Sequence, residues 1–159
     1  MLTPAQLLTL KAAIAAETDA GFVVNRVAGN TGLMAEFYNT ASTFIVYKTS
    51  ATNDEIGDAM NGTEVAGLSS LSMQRLQLLA NYSGSTQNPS RVDRRAAFDA
   101  AFSGAGGAIT RVSLAALWKR AAKRGERLFA TGTGTTATPG LLVFEGDIDN
   151  DDIVAALSA

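Results

Sequence analysis

The stretch Thr110-Arg-Val-Ser-Leu-Ala-Ala-Leu-Trp-Lys-Arg-Ala-Ala-Lys-Arg-Gly-Glu-Arg-Leu128 decides how the chain is read. At roughly 100° per residue, Leu114, Leu117, Trp118, Ala121, Gly125 and Leu128 share about a 100° arc. Lys119, Arg120, Lys123, Arg124 and Arg127 take the opposite side, and Arg111 adds to the positive charge. The spacing predicts one long amphipathic helix with a basic face. Gly125 in the apolar arc weakens that helix by about 1 kcal/mol against Ala; its place there predicts close approach of another backbone. Lys119/Lys123, Lys123/Arg127 and Arg120/Arg124 are like-charge pairs at i,i+4, each mildly destabilising. Such pairs call for nearby anions. The face has three readings: a solvated surface, contact with an acidic partner or neighbouring subunit, and contact with nucleic-acid phosphates. Base recognition is not favoured, because no aromatic residue interleaves with the cations except Trp118, on the apolar side.

The tract Thr131-Gly-Thr-Gly-Thr-Thr136 follows, and then Leu141-Leu-Val-Phe-Glu145. The tract does not lead into Gly-Lys-Ser/Thr and follows a predicted helix, so it is no phosphate loop. Pro139-Gly140 is a turn signal, and Leu141–Phe144 reads as a strand. Residues 130–145 are expected to form an extended arm or loop that docks on a neighbour. Thr131, Thr133, Thr135, Leu141 and Val143 are its candidate contacts. Residues 91–127 hold 9 basic and 3 acidic groups (+6), whereas 145–152 hold 5 acidic and no basic groups (−5). Asp147 and Asp149 are therefore candidate partners for a basic surface on another molecule.

Composition sets the bounds. A chain of 159 residues suits a single domain, 1–159. Its hydrophobic share of 47% is ordinary, while its charged share of 18% is low against about 25% in typical domains. A lightly charged surface favours contact with other protein. The chain has no Cys and no His. This excludes disulfides, a thiol nucleophile, a Ser-His-Asp triad, an imidazole base and the usual zinc sites. The opening Met1-Leu2-Thr3-Pro4 has no basic leader, and no apolar run reaches the ~18 residues of a membrane span. A soluble protein made in the cytoplasm is expected, without a cofactor or metal.

Local signals outline the remaining elements. Thr3, Pro4 and Gln6 form a helix start with a capping box, and Leu7, Leu10 and Ile14 follow at helical spacing. That helix should fade near Thr18–Gly21. A second helix is predicted at Leu33–Asn39, with Leu33, Phe37 and Met34 inward. Phe44–Tyr47 favours a short strand, with a buried helix start as the alternative. Asp54–Met60 reads as a short helix ended by the turn signal Asn61-Gly62. Another helix runs through Leu68, Leu71, Leu76 and Leu79, with Ser69 or Ser70 near its start. A polar loop spans Tyr82–Asn88, and Ser90 is a candidate cap for a helix from Arg91 to Phe102. Asp149 or Asn150 should cap a last helix carrying Asp151 and Asp152 in its first turn, with Ile153, Val154 and Leu157 inward. The result is a mostly α fold of about five to six helices, with a strand near 44–47 and a strand or hairpin arm near 128–146.

Other motifs carry little chemistry. Asp147–Asp152 lacks the Gly and Glu of a calcium loop and suits helix capping better. Asp54, Glu55 and Asp58 fit an exposed helix face. Trp118, Phe98, Phe102 and Phe129 fit the core. The sequons at Asn61 and Asn81 carry no weight without a secretion signal.

Several blocks together resemble one protein group: Leu2–Ile14, Phe44–Ser50, Asn88-Pro-Ser90 and Lys119–Gly146. The group is the small proteins encoded in structural gene clusters of tailed bacteriophages and prophages. Residues 18–35 depart from its pattern, in which an Asp-Gly-Ala stretch precedes the second helix. The resemblance implies a non-enzymatic virion structural protein, assembled in the host cytoplasm. Its size suits a head–tail connector or adaptor in the neck, repeated as a ring. The implied partners are copies of itself, portal, tail or other virion proteins, and packaged DNA through non-specific contact. The alternatives are a tail, fibre-attachment or capsid-decorating protein, and a DNA-binding packaging accessory protein.

Overall fold

The computed structural model describes residues 1–82 and 84–159. The polar loop expected at Tyr82–Asn88 includes Ser83, which lies outside the described residues, as does the third position of the Asn81 sequon. The chain is mostly helical with small two-stranded sheets, as expected, but ten α-helices occur among the described residues instead of five or six. It divides into two compact units, one made of Met1–Val46 with Ala121–Ala159 and the other of Tyr47–Arg120.

The first unit contains α1 (Pro4–Ala16), α2 (Ala20–Ala28) and α3 (Thr31–Asn39). Thr3 and Gln6 close the expected capping box on α1. Asp19 caps α2 by accepting from the Phe22 amide at 3.0 Å, so Gly21–Val24 lies inside a helix. Arg26 then reaches back to the last carbonyls of α1, 2.9 Å from that of Ala15. On α3 the buried residues are Met34, Ala35 and Tyr38, whereas Leu33 is exposed and Phe37 half-buried. The inward face of α3 is thus rotated from the expected one. Phe22, Phe37 and Tyr38 form an aromatic cluster with ring centroids 4.7–5.6 Å apart, a separation that favours tilted and edge-on contact. Leu10, Ile14, Ile148 and Ile153 complete this core.

The second unit contains α4 (Asn53–Ala59), α5 (Gly62–Ala66), α6 (Ser70–Tyr82), α7 (Val92–Ala101) and α8 (Ala108–Leu117), with a 3₁₀ turn at Ala105–Gly107. Its core joins Ile56, Phe98, Phe102, Leu114 and Trp118. β2 (Ala51–Thr52) and β3 (Thr86–Gln87) pair antiparallel. α4 ends just before Asn61, as expected, but Asn61 also starts a helix: its side chain accepts from the Glu64 amide at 3.1 Å and caps α5. Ser90 does not cap α7; its amide and hydroxyl both donate to Asn88 Oδ1.

The long basic helix is the main correction. α8 stops at Leu117. Lys119–Lys123 form strand β4, and Arg124–Phe129 a separate short helix, α9. β4 pairs with β1 (Ala41–Tyr47), the strand expected near 44–47 but longer. Trp118 ends α8 as a buried C-cap beside Phe98, and its carbonyl accepts from the Lys48 amide at 2.8 Å. In the first unit the Arg124 amide donates to the Thr40 carbonyl at 2.9 Å, and Ser42 Oγ to that of Ala122 at 2.8 Å. Strand pairing overrides helix propensity, which is a weak preference against tertiary contacts. It also removes the i,i+4 stacking of Lys119 on Lys123 and of Arg120 on Arg124. Gly125 does mark a close approach. A Cβ there would lie 2.6 Å from Ile148 Cγ1 and 3.4 Å from the Tyr38 carbonyl oxygen.

No strand forms at Leu141–Phe144. β1 instead bonds with two glycines of the Thr/Gly segment: the Ile45 amide donates to the Gly134 carbonyl, and the Gly140 amide to the Ile45 carbonyl, both at 2.8 Å. The ring of Phe44 packs against both glycines. Beyond them Phe144 meets Phe129 edge-on, centroids 5.6 Å apart. Asp149, one of the two expected caps, caps α10 (Asn150–Ser158), and the structure adds a reciprocal bond that makes a capping box with Asp152. Its buried side chains are Asp152, Ile153 and Ala156; Val154 and Leu157, expected inward, are exposed.

α8 gains its N-terminal cap from a distant residue. Gly107 precedes it and has no side chain to offer. The Glu64 carboxylate on α5 accepts from the Ile109 and Thr110 amides at 2.9 and 2.7 Å. Partial burial acts to raise the Glu64 pKa. The hydrogen bonds from Thr110 and Ile109 and the charge of Arg111 outweigh it and hold the carboxyl below its ordinary 4.5. A depressed folded-state pKa means that this contribution is present above the unfolded value and lost as pH falls through the folded one. Melting temperatures across pH 3–7 should therefore fall at the acid end, below the ordinary value of 4.5. In Glu64→Gln that fall should be shallower. An identical acid limb in the two proteins would show that Glu64 contributes nothing.

Candidate interaction surface

The cations do not lie on one helix. Arg111 lies on α8; Lys119, Arg120 and Lys123 lie on β4; Arg124 and Arg127 lie on α9. Several are engaged within the chain. Lys123 Nζ is 2.6 Å from Asp147 Oδ1. Arg124 Nε donates to Thr40 Oγ1 at 3.1 Å, and its guanidinium carbon sits 4.3 Å from the Phe37 ring centroid, a cation–π contact. Arg111 acts on Glu64. Lys119 and Arg120 are half-buried. Arg127 is exposed in the last turn of α9, where a cation complements the helix dipole.

The acidic candidates are similarly occupied. Asp147 is the partner of Lys123, and Asp149 Oδ1 accepts from the Asp152 amide at 2.7 Å. Positive and negative segments that seemed suited to pairing between molecules thus meet, at Lys123 and Asp147, inside the first unit. Among the described residues no group of three or more acidic side chains is arranged to hold a metal ion. No helix among them is long and apolar enough to cross a membrane.

The segment 130–145 is held against its own chain. Thr131 and Leu141 exchange two backbone bonds of 2.9 Å. Thr133 Oγ1 donates to the Thr138 carbonyl at 3.0 Å, and the Thr138 amide to Thr135 Oγ1 at 3.0 Å. Leu141 and Val143 are exposed, Val143 the more so at 68%.

One surface escaped the sequence reading altogether. On α8, Thr110, Leu114 and Leu117 face the core. Ala108, Ile109, Val112, Ala115 and Ala116 are all exposed, Val112 to 72% and Ile109 to 59%. At 100° per residue these five span roughly a 120° arc. They carry no charge and no hydrogen-bonding side chain. The first unit has a smaller counterpart on α2, where Val24 and Val27 are exposed one turn apart. The signal was present in the sequence: ten residues with Arg111 as the one charge, and Thr110 and Ser113 as the only other polar side chains. A helix apolar on every side is normally buried on every side.

The chain matches no protein-family model, no curated protein and no solved structure.

Proposed function

We propose that this chain is a non-enzymatic structural subunit of a tailed-phage virion, acting by protein–protein contact, and that it serves as a head–tail connector repeated in a ring. The observation that carries the reading is the uncharged, exposed face of α8. Contiguous apolar surface on a folded domain marks an interaction site. A ring needs two different patches, each meeting the other on a neighbour. The α8 face and the Val24/Val27 pair on α2 are two such patches, one in each unit. The blocks that resemble phage structural proteins supply the biological setting. Portal and tail proteins are the further partners this setting implies. With the cations spread over three elements, the continuous basic helix behind the nucleic-acid reading is gone.

The test is self-association. Light scattering after size exclusion should show the purified chain forming larger species as concentration rises. Ile109→Glu with Val112→Glu should keep the circular dichroism spectrum of the original and remain monomeric, because burying a carboxylate in an apolar contact is strongly unfavourable. A chain that stays monomeric at all concentrations, and is missing from the virions of a phage that encodes it, would rule the reading out.

A further inference from the structure

On the second unit α6 and α7 leave a groove of about 470 Å³ between them. Leu78, Leu79, Ala97 and Ala100 line it, with Arg75 and Arg94 in its wall. Leu71, Arg75 and Leu78 are exposed at i, i+4 and i+7 on α6. They make a stripe about 10 Å long on one side of the helix. Arg75 has no hydrogen bond or ion pair with any other described residue. The acids of α7 leave its charge standing. Asp93 is held by Arg91 at 2.7 Å. Asp99 lies about 160° around the helix from Ala97.

An apolar groove with an unpaired cation fits a cover that is apolar and carries an acid. Among the described residues four helices expose at least two large apolar side chains: α2, α6, α8 and α10. The one charged residue of α2 is Arg26 and that of α8 is Arg111, so either would bring like charge to the groove. α10 has the opposite sign. Asp151, Val154 and Leu157 are exposed along one side of it, over about 9 Å. Asp151 has no hydrogen bond or ion pair with any other described residue. The second acid of α10, Asp152, is buried and accepts from the Leu2 amide.

We propose that the groove between α6 and α7 receives α10 of a second copy of this chain, with Asp151 paired to Arg75 and with Val154 and Leu157 seated on Leu78, Ala97 and Ala100. One copy offers the groove and the other the helix. The contact is therefore heterologous, and each pair keeps a free groove at one end and a free α10 at the other, as a growing ring needs. It rests on the ring reading and supplies one contact of each junction. An ion pair open to water contributes little. Flanked by apolar side chains that exclude water, it fixes the orientation and rejects covers of like charge.

Charge reversal tests it on the full chain, read by light scattering after size exclusion. Arg75→Glu should raise the concentration of half-association about tenfold or more, because two carboxylates would then face each other. Asp151→Arg should do the same. The double variant Arg75→Glu/Asp151→Arg should return to within about threefold of the original chain, a rescue that a loss of folding would not give. Disulfide trapping covers the case of a reversal that fails to fold. The chain has no Cys. Leu78→Cys and Leu157→Cys, oxidised as a mixture, should give the mixed dimer in preference to either homodimer, since a disulfide needs Cα atoms within about 7 Å. An original chain that stays monomeric at every concentration would overturn the contact together with the self-association it rests on. Association that survives Arg75→Glu, single losses that the double variant does not restore, or homodimers trapped as readily as the mixed dimer would overturn this contact alone.

Discussion

Replacing Gly134 by alanine is expected to lower the unfolding free energy by about 2–4 kcal/mol, through a left-handed backbone and an overpacked contact acting together. Gly134 has φ +66°. An L residue in that region is disfavoured by about 1–2 kcal/mol. The new methyl group would also fall within contact distance of the Phe44 ring. The backbone cannot step aside at no cost, because the Gly134 carbonyl accepts from the Ile45 amide. Urea denaturation measures the loss. Gly132→Ala separates the two causes: φ there is +94°, but an added Cβ would meet nothing closer than 3.3 Å. It should therefore show the conformational part with only a small steric share. Combining Gly134→Ala with Phe44→Ala should recover the steric part in a double-mutant cycle. A change below about 0.5 kcal/mol in Gly134→Ala, the scale of an ordinary surface substitution, would mean that the segment is not clamped on Phe44.

Asp152→Ala should be comparably damaging, at about 2–4 kcal/mol for a buried charged acceptor that is also a cap. Asp152 is buried on α10. Its Oδ1 accepts from the Leu2 amide at 3.0 Å, and its Oδ2 from the Asp149 amide at 3.3 Å. Truncation leaves the Leu2 amide without its partner in a buried setting. It also removes half of the capping box at the start of α10. Asp152→Asn should fall between the two, since the amide keeps one of the two acceptor oxygens. Hydrogen exchange gives a local reading: the Leu2 amide should lose protection in Asp152→Ala. Protection equal to that of the original chain would show that the bond contributes nothing.

What could be read from the sequence was local. The Thr3/Gln6 capping box forms as expected, and Asp149, one of two expected caps, caps the last helix. A cap depends only on its own turn. The stretch 119–123 failed because its apolar spacing suits a helix, while the deciding partner, β1, lies some eighty residues earlier at Ser42–Ala122. What the Thr/Gly segment packs against was hidden for the same reason: nothing local shows that Phe44 occupies the space beside Gly134 and Gly140. Gln87 gave no warning at all. A glutamine in a polar stretch reads as solvated, yet this one is buried.

The division of the chain bears on the order in which it folds. The second unit is one continuous stretch, Tyr47–Arg120, whereas the first is assembled from both ends of the sequence. The bond between Leu2 and Asp152 spans 150 positions. During synthesis the inner stretch has emerged in full before the outer unit holds its last helix, and domains generally form as units as they leave the ribosome. α1 to α3 must wait with Phe22, Met34 and Tyr38 uncovered until Ile148 and Ile153 arrive. That interval is when the nascent polypeptide is most exposed to aggregation, and when a chaperone would have most to shield.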